Sequence, residues 1–226
     1  MGWLAGGSGW NTAVLAQVFG RIPKKLPEGK SVFELKGEVL VNGVPATYET
    51  VVGPADTVRT GPGGSFVGVV GQDALLLREN SELQMSGVAG TAAKRLFRLV
   101  TGAVLAVFGR RHDNEELEVA SPTAIVGLRG TGVYAEARPD RTYFCTCYGT
   151  SRIVSAADPK ITEMVSSIHH DAPKWILAQP ERGKLIVPAP FQNHTDLELM
   201  TLEALVGREV PFVIPDSQYG QQRREY

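Results

Sequence analysis

The sequence predicts an all-β protein, a sandwich or a solenoid-like β roll, with a C-terminal extension that contains one α-helix. Three observations lead there. The 25 glycines and 14 prolines fall between short apolar runs, as a body of many short strands and turns requires. Short strand patterns at regular spacing continue from residue 31 to residue 154, and alternation of this kind marks half-buried strands. Clear helix start and stop signals stand only near the C-terminus, at residues 195–207. The 226 residues suffice for a sizeable core, and 43% hydrophobic with 21% charged residues is an ordinary globular composition. A net charge of −1 gives no support to a nucleic-acid surface or a polybasic membrane patch.

Residues 1–30 read as a lead-in. GWLAGGSGWNTAVLAQ is small and apolar but lacks a basic n-region, so it fits either the remnant of a secretory signal or a disordered arm. RIPKKLPEGK is an extended surface segment. VFELKGEVLVNGVPAT then gives strand, Asn42-Gly43 turn and strand, because Asn-Gly supplies the two positive φ angles of a tight hairpin turn. Residues 56–64 add a strand and a Gly/Pro turn, 66–70 and 74–77 two short strands, and Asn80-Ser81 the next turn. LFRLVTGAVLAVFGRR reads as two strands about Thr101-Gly102, with a helix as the competing reading; valine enrichment and the central glycine favour strands. Arg95 and Arg98 and its short length exclude this run as a membrane span. HDNEE, residues 112–116, is a charged loop tip.

Residues 121–134, SPTAIVGLRGTGVY, read as a buried strand (123–128), a compact Arg-Gly-Thr-Gly turn and a second strand (133–137). After Val154 the texture is more polar: 161–168 is a short helix or strand, and 174–187 a hairpin broken at 179–183. Thr195 with Glu198 forms a capping box opening a helix over 196–206, with Leu197, Met200, Leu202, Leu205 and Val206 as its apolar face and Gly207 as its stop. This helix is expected to pack on the β domain. Residues 216–226 form a polar tail.

Three stretches, in order, resemble the FecR-type periplasmic domain: ADTVRTGPGGSF (55–66), LLLRENSELQM (75–85) and SPTAIVGLRGTGVY (121–134). The resemblance covers residues 33–154, about half of the chain, and places a FecR-like β domain at 31–154 with a C-terminal elaboration at 155–226. It implies an extracytoplasmic, periplasmic or secreted signalling module that engages a protein partner and is linked to iron or envelope sensing. FecR-type proteins commonly carry a cytoplasmic region and a membrane helix that no stretch of this sequence matches, so the resemblance is to a free-standing FecR-domain protein, which puts direct sigma-factor control in doubt.

No phosphate-cradling loop, nucleophile elbow or His-Glu-x-x-His helix occurs, and the sequence is not read as an enzyme. Two groups of candidate residues stand out. Arg129, Gly130 and Thr131 form a nearly side-chain-free turn from which a guanidinium reaches either a structural carboxylate or an anionic ligand or partner. TYFCTCYGT holds both cysteines, Cys145 and Cys147; on a strand they share a face with parallel side chains, which strains a mutual disulfide. Their companions are His169 and His170, with His194 just before the helix. Two Cys and two His make a tetrahedral transition-metal site of the zinc or iron type, and Cys145, Cys147, His169 and His170 are the expected ligands. Adjacent histidines on a strand point oppositely, so both serve only if the backbone turns there. Buried structural thiols, a haem-like site, redox chemistry and an inter-chain disulfide remain open alternatives.

Overall fold

A computed structural model describes residues 22–87, 95–109 and 117–213. The lead-in GWLAGGSGWNTAVLAQ, the HDNEE tip and the 216–226 tail lie outside the described residues. The strands in chain order are β1 (Val32–Lys36), β2 (Val39–Val41), β3 (Val44–Pro45), β4 (Thr57–Thr60), β5 (Ser65–Val70), β6 (Asp73–Leu77) and β7 (Glu82–Ser86). They continue with β8 (Arg95–Val107), β9 (Leu117–Ala120), β10 (Ala124–Ala137), β11 (Arg141–Ser155), β12 (Thr162–Ser167), β13 (Lys174–Glu181) and β14 (Lys184–Pro188). One helix follows among the described residues, α1 (Asp196–Leu205). The described residues are therefore mostly β with a single short helix near their C-terminal end, as the sequence predicts.

All these strands hydrogen-bond into one sheet, which three long strands fold into two layers. The first part of β8 pairs with β7 and β9, and its second part with β6 and β10. Likewise β10 pairs first with β9 and then with β8, while β11 pairs with β13 near its start and β12 near its end. The bends fall at Gly102, Gly130 and Gly149, with φ of 80°, 57° and 90°, values that side chains with a Cβ rarely adopt. Pairing is antiparallel throughout except for β8 with β9.

Two sequence readings are corrected here. The Arg-Gly-Thr-Gly stretch is not a turn between two strands but a bulge inside β10, where the register to β11 slips between Arg129 and Gly132. The Thr101-Gly102 stretch is likewise a bend within one 13-residue strand, not a break between two. A bulge absorbs extra residues while the ladder continues on both sides, so glycines that suggest a hairpin instead re-aim a long strand.

Gly149 should be among the least replaceable positions. A Cβ there would lie 2.5 Å from Thr131 Cγ2 and 2.8 Å from the Gly130 carbonyl, at a φ of 90°. Gly149→Ala is expected to cost about 1–3 kcal/mol or more, read as a lower urea midpoint with an unchanged m-value.

The main core lies between the layers and includes Phe66, Leu75, Leu77, Leu99, Phe144 and Ile153. The side chains alternating with these on β5, β6, β8, β10 and β11 form a second apolar face on the outside of one layer, with Val67, Leu76, Leu105, Tyr134, Tyr143, Cys145 and Cys147. The C-terminal segment covers that face with Leu199, Leu202, Leu205 and Phe212. The helix face differs in part from the sequence reading: Leu199 is central and fully buried, while Leu197 and Met200 are only half-buried. The register is fixed by docking onto the sheet rather than by an apolar stripe of its own.

Candidate metal centre

Period-two geometry sends Phe144 and Thr146 inward and Cys145 and Cys147 to the outer face of β11, both fully buried free thiols. The β12–β13 loop brings the third donor. Its backbone turns at His170, with φ of 55°, and the His170 N–H donates to the Cys147 carbonyl at 2.9 Å. The Asp171 carboxylate holds the turn by accepting from the Ile168 N–H at 2.8 Å and from the His169 N–H at 3.3 Å. Those backbone hydrogen bonds, Ile168 foremost, keep its pKa below the ordinary carboxylate value.

The fourth donor is His194, one residue before the helix N-cap. Its ring stacks on Tyr134, with centroids 4.5 Å apart and planes at 20°. Asn193, beside it, is pinned from two sides: Arg78 Nη2 donates to its carbonyl at 2.8 Å, and its amide donates to Glu136 Oε1 at 2.5 Å. Arg78 also pairs with Glu198 in the first helical turn at 2.8 Å. The capping box that the sequence predicts is present, with Glu198 N–H donating to Thr195 Oγ1 at 3.2 Å and Thr195 N–H donating to Glu198 Oε2 at 2.9 Å. Thr195→Ala should cost about 1 kcal/mol, measured by thermal unfolding.

The four donor atoms converge. Cys145 Sγ lies 3.6 Å from His170 Nδ1, Cys147 Sγ lies 3.3 Å from His194 Nε2, and the two ring nitrogens are 3.1 Å apart. All four donor atoms are within 4.8 Å of one another. A tetrahedron with metal–sulfur bonds of about 2.3 Å and metal–nitrogen bonds of about 2.05 Å has S···N edges of about 3.5 Å and N···N edges of about 3.3 Å. The two S···N edges and the N···N edge given above match that geometry.

The far nitrogens are also held. His194 Nδ1 faces the Gln192 carbonyl at 2.7 Å, and His170 Nε2 faces Asp196 Oδ1 at 3.0 Å. Each ring thus has an acceptor for an outer N–H, which in the neutral form leaves the lone pair toward the centre, the arrangement that orients metal-ligating imidazoles. The Gln192 N–H in turn donates to Tyr143 Oη at 3.2 Å.

The electrostatics favour the deprotonated form at one donor and oppose it at two others. The hydrogen bond with Cys147, then those with His170 and His194, hold the Cys145 thiol well below its ordinary pKa. Burial pushes the Cys147 thiol up, as does the charge on Cys145. Burial alone would lower the His170 pKa, but its hydrogen bonds to Asp196 and Cys145 outweigh that and raise it. Residue exposures of 0, 0, 8 and 3% for Cys145, Cys147, His170 and His194 leave no open position for a substrate. A closed tetrahedral set is that of a structural or sensing ion rather than a catalytic one.

Three of the four residues expected as ligands from sequence therefore meet: Cys145, Cys147 and His170. His169 does not reach the thiols; its Nε2 lies 2.9 Å from Asp196 Oδ1, outside the tetrad, and His194 takes the fourth place. Sequence offers His194 as a companion but cannot rank it, because its approach depends on how the C-terminal segment crosses the sheet. Asp196 reads in sequence only as a helix-dipole residue; nothing there marks it as the partner of two histidines. In the other candidate group, Arg129 is exposed at the bulge, while Thr131 is buried with its hydroxyl unpaired.

No family profile matches this chain, and no curated protein matches it. Two crystal structures, at 1.65 and 2.50 Å, of "a putative anti-sigma factor from Parabacteroides distasonis ATCC 8503" are similar to part of it. Each has a TM-score of 0.49 at 11% identity, over 59% of this chain and 58% of the other. The chain thus matches little more than half the length of these structures, and at that level the similarity carries no argument about function. No helix among the described residues is long and apolar enough to cross a membrane.

Proposed function

We propose that this chain is a non-enzymatic metal-binding module in which one transition-metal ion, of the zinc class first and ferrous iron second, binds Cys145, Cys147, His170 and His194. The observation that carries the reading is the tetrahedral spacing of four buried donors whose outer ring nitrogens already have acceptors. Two thiolates and two neutral imidazoles give a neutral site around a divalent ion, which suits full burial. The ion would join strand β11, the β12–β13 loop and the segment leading into α1, and so fix the C-terminal cover on the sheet.

The three FecR-like stretches favour the wider reading that the β body is an extracytoplasmic module that binds a protein partner and signals metal or envelope status. Coordination would also protect two thiolates that an oxidising compartment otherwise threatens. Metal analysis of protein purified without chelator or immobilised nickel tests the core of the proposal. Near-stoichiometric zinc or iron, lost in Cys145→Ser/Cys147→Ser, is expected; wild-type protein that neither retains nor takes up either metal would overturn it. Cell fractionation tests the extracytoplasmic location separately.

A further inference from the structure

The tetrad poses a kinetic problem that its surroundings answer. An aqueous metal ion must shed water and reach four donors that are almost wholly excluded from solvent, and a credible site needs a path to it. Beside the tetrad stands a second convergent group: His169, His170 and Asp196, with ligand atoms also within 4.8 Å of one another. His169 and Asp196 are its solvent-facing members, with side chains 30% and 12% exposed.

His170 belongs to both groups. Its Nδ1 faces Cys145 and His194, and its Nε2 faces Asp196. The positive φ at His170 turns the chain so that adjacent imidazoles approach one carboxylate oxygen, at 2.9 and 3.0 Å. Orienting His170 needs only Asp196. The second imidazole adds a further ligand on the solvent side, with Phe212 packed on its ring at a centroid distance of 4.4 Å.

We propose that His169 and Asp196 form an outer, low-affinity site for a divalent transition-metal ion and pass the ion to the buried tetrad beside the ring of His170. This inference rests on the metal-binding reading of the tetrad. An imidazole and a carboxylate suit zinc, ferrous or cupric ions, and two protein ligands with water completing the shell hold an ion only briefly. The outer site raises the local ion concentration beside the tetrad, with which it shares His170.

A catalysed route must speed loading and release equally, because it leaves the end states unchanged. The experiment follows zinc chloride uptake by metal-depleted protein and zinc withdrawal from loaded protein by a small chromophoric chelator, in stopped flow. In His169→Ala both rates are expected to fall by about tenfold, with an unchanged dissociation constant and urea midpoint; His169→Asp, which restores a ligand, is expected to recover both. Wild-type rates in His169→Ala would overturn the route while leaving the tetrad intact. Faster release with weaker equilibrium binding would also overturn it, by making His169 a ligand of the tight site. Wild-type zinc binding that persists in Cys145→Ser/Cys147→Ser would instead remove the tetrad reading itself.

Discussion

His194→Ala is expected to weaken zinc binding by about 100-fold, since about 10–16 kcal/mol for a structural zinc divided over four ligands is about 3 kcal/mol each. His169→Ala should leave the equilibrium constant unchanged. Competition against a chromophoric chelator measures both. The pair of variants discriminates between the ligand set of the structure and the one expected from sequence, which has His169 in place of His194. If His169→Ala weakens equilibrium binding and His194→Ala does not, the geometry at the tetrad is misassigned. Binding should also release protons in weakly buffered solution: the Cys147 thiol and the His170 ring both have raised pKa values and must be deprotonated to bind. Affinity should therefore fall as the pH falls.

Metal removal should loosen the C-terminal cover before it disturbs the β body. At a free zinc concentration 1,000 times the dissociation constant, binding stabilises the folded state by about 4 kcal/mol. For a chain of this size that amounts to an upward shift in Tm of about 8–16 °C. The loss on chelation should be uneven. His194 is the tetrad's only ligand from the C-terminal segment, and Leu199, Leu202 and Leu205 follow it within one helix. Hydrogen exchange should therefore rise first at residues 192–206, and tyrosine fluorescence should change as Tyr134 loses the stacked His194 ring. Cys145→Ser/Cys147→Ser should show that exchange pattern with or without zinc. Uniform exchange over β5, β6 and β11 as well would mean that the ion stabilises the fold globally instead of fastening one segment.

Docking of this segment does not depend on the metal alone. Leu26 N–H donates to the Leu205 carbonyl at 2.9 Å, and Arg208 Nε pairs with Glu203 at 2.6 Å while its Nη1 donates to the Gln72 carbonyl at 2.8 Å. Burial and the hydrogen bond to Glu203 push the Tyr148 phenol to a raised pKa, so it stays neutral as a donor. The chelated protein should therefore keep a loosely docked helix rather than lose it.

Local chemistry determined much of this protein. Apolar alternation and the distribution of glycine and proline dictate a β body. Asn42-Gly43 dictates its hairpin, and Thr195 with Glu198 the start of α1, because each signal acts within a few residues. The shared face of Cys145 and Cys147 is likewise a property of any strand. Tertiary structure decided what depends on long-range pairing. Glycines at 102, 130 and 149 are compatible with turns or with bends in long strands, and only the ladder on both sides selects the bend. The choice of His194 over His169 has the same origin. His170 takes a left-handed backbone conformation that aims its neighbour outward to Asp196, and the path of residues 189–194 over the sheet brings His194 across 47 positions of sequence to Cys147. Donor types are written in sequence, but the geometry that makes them one site arises only when the C-terminal segment covers the outer face of β11.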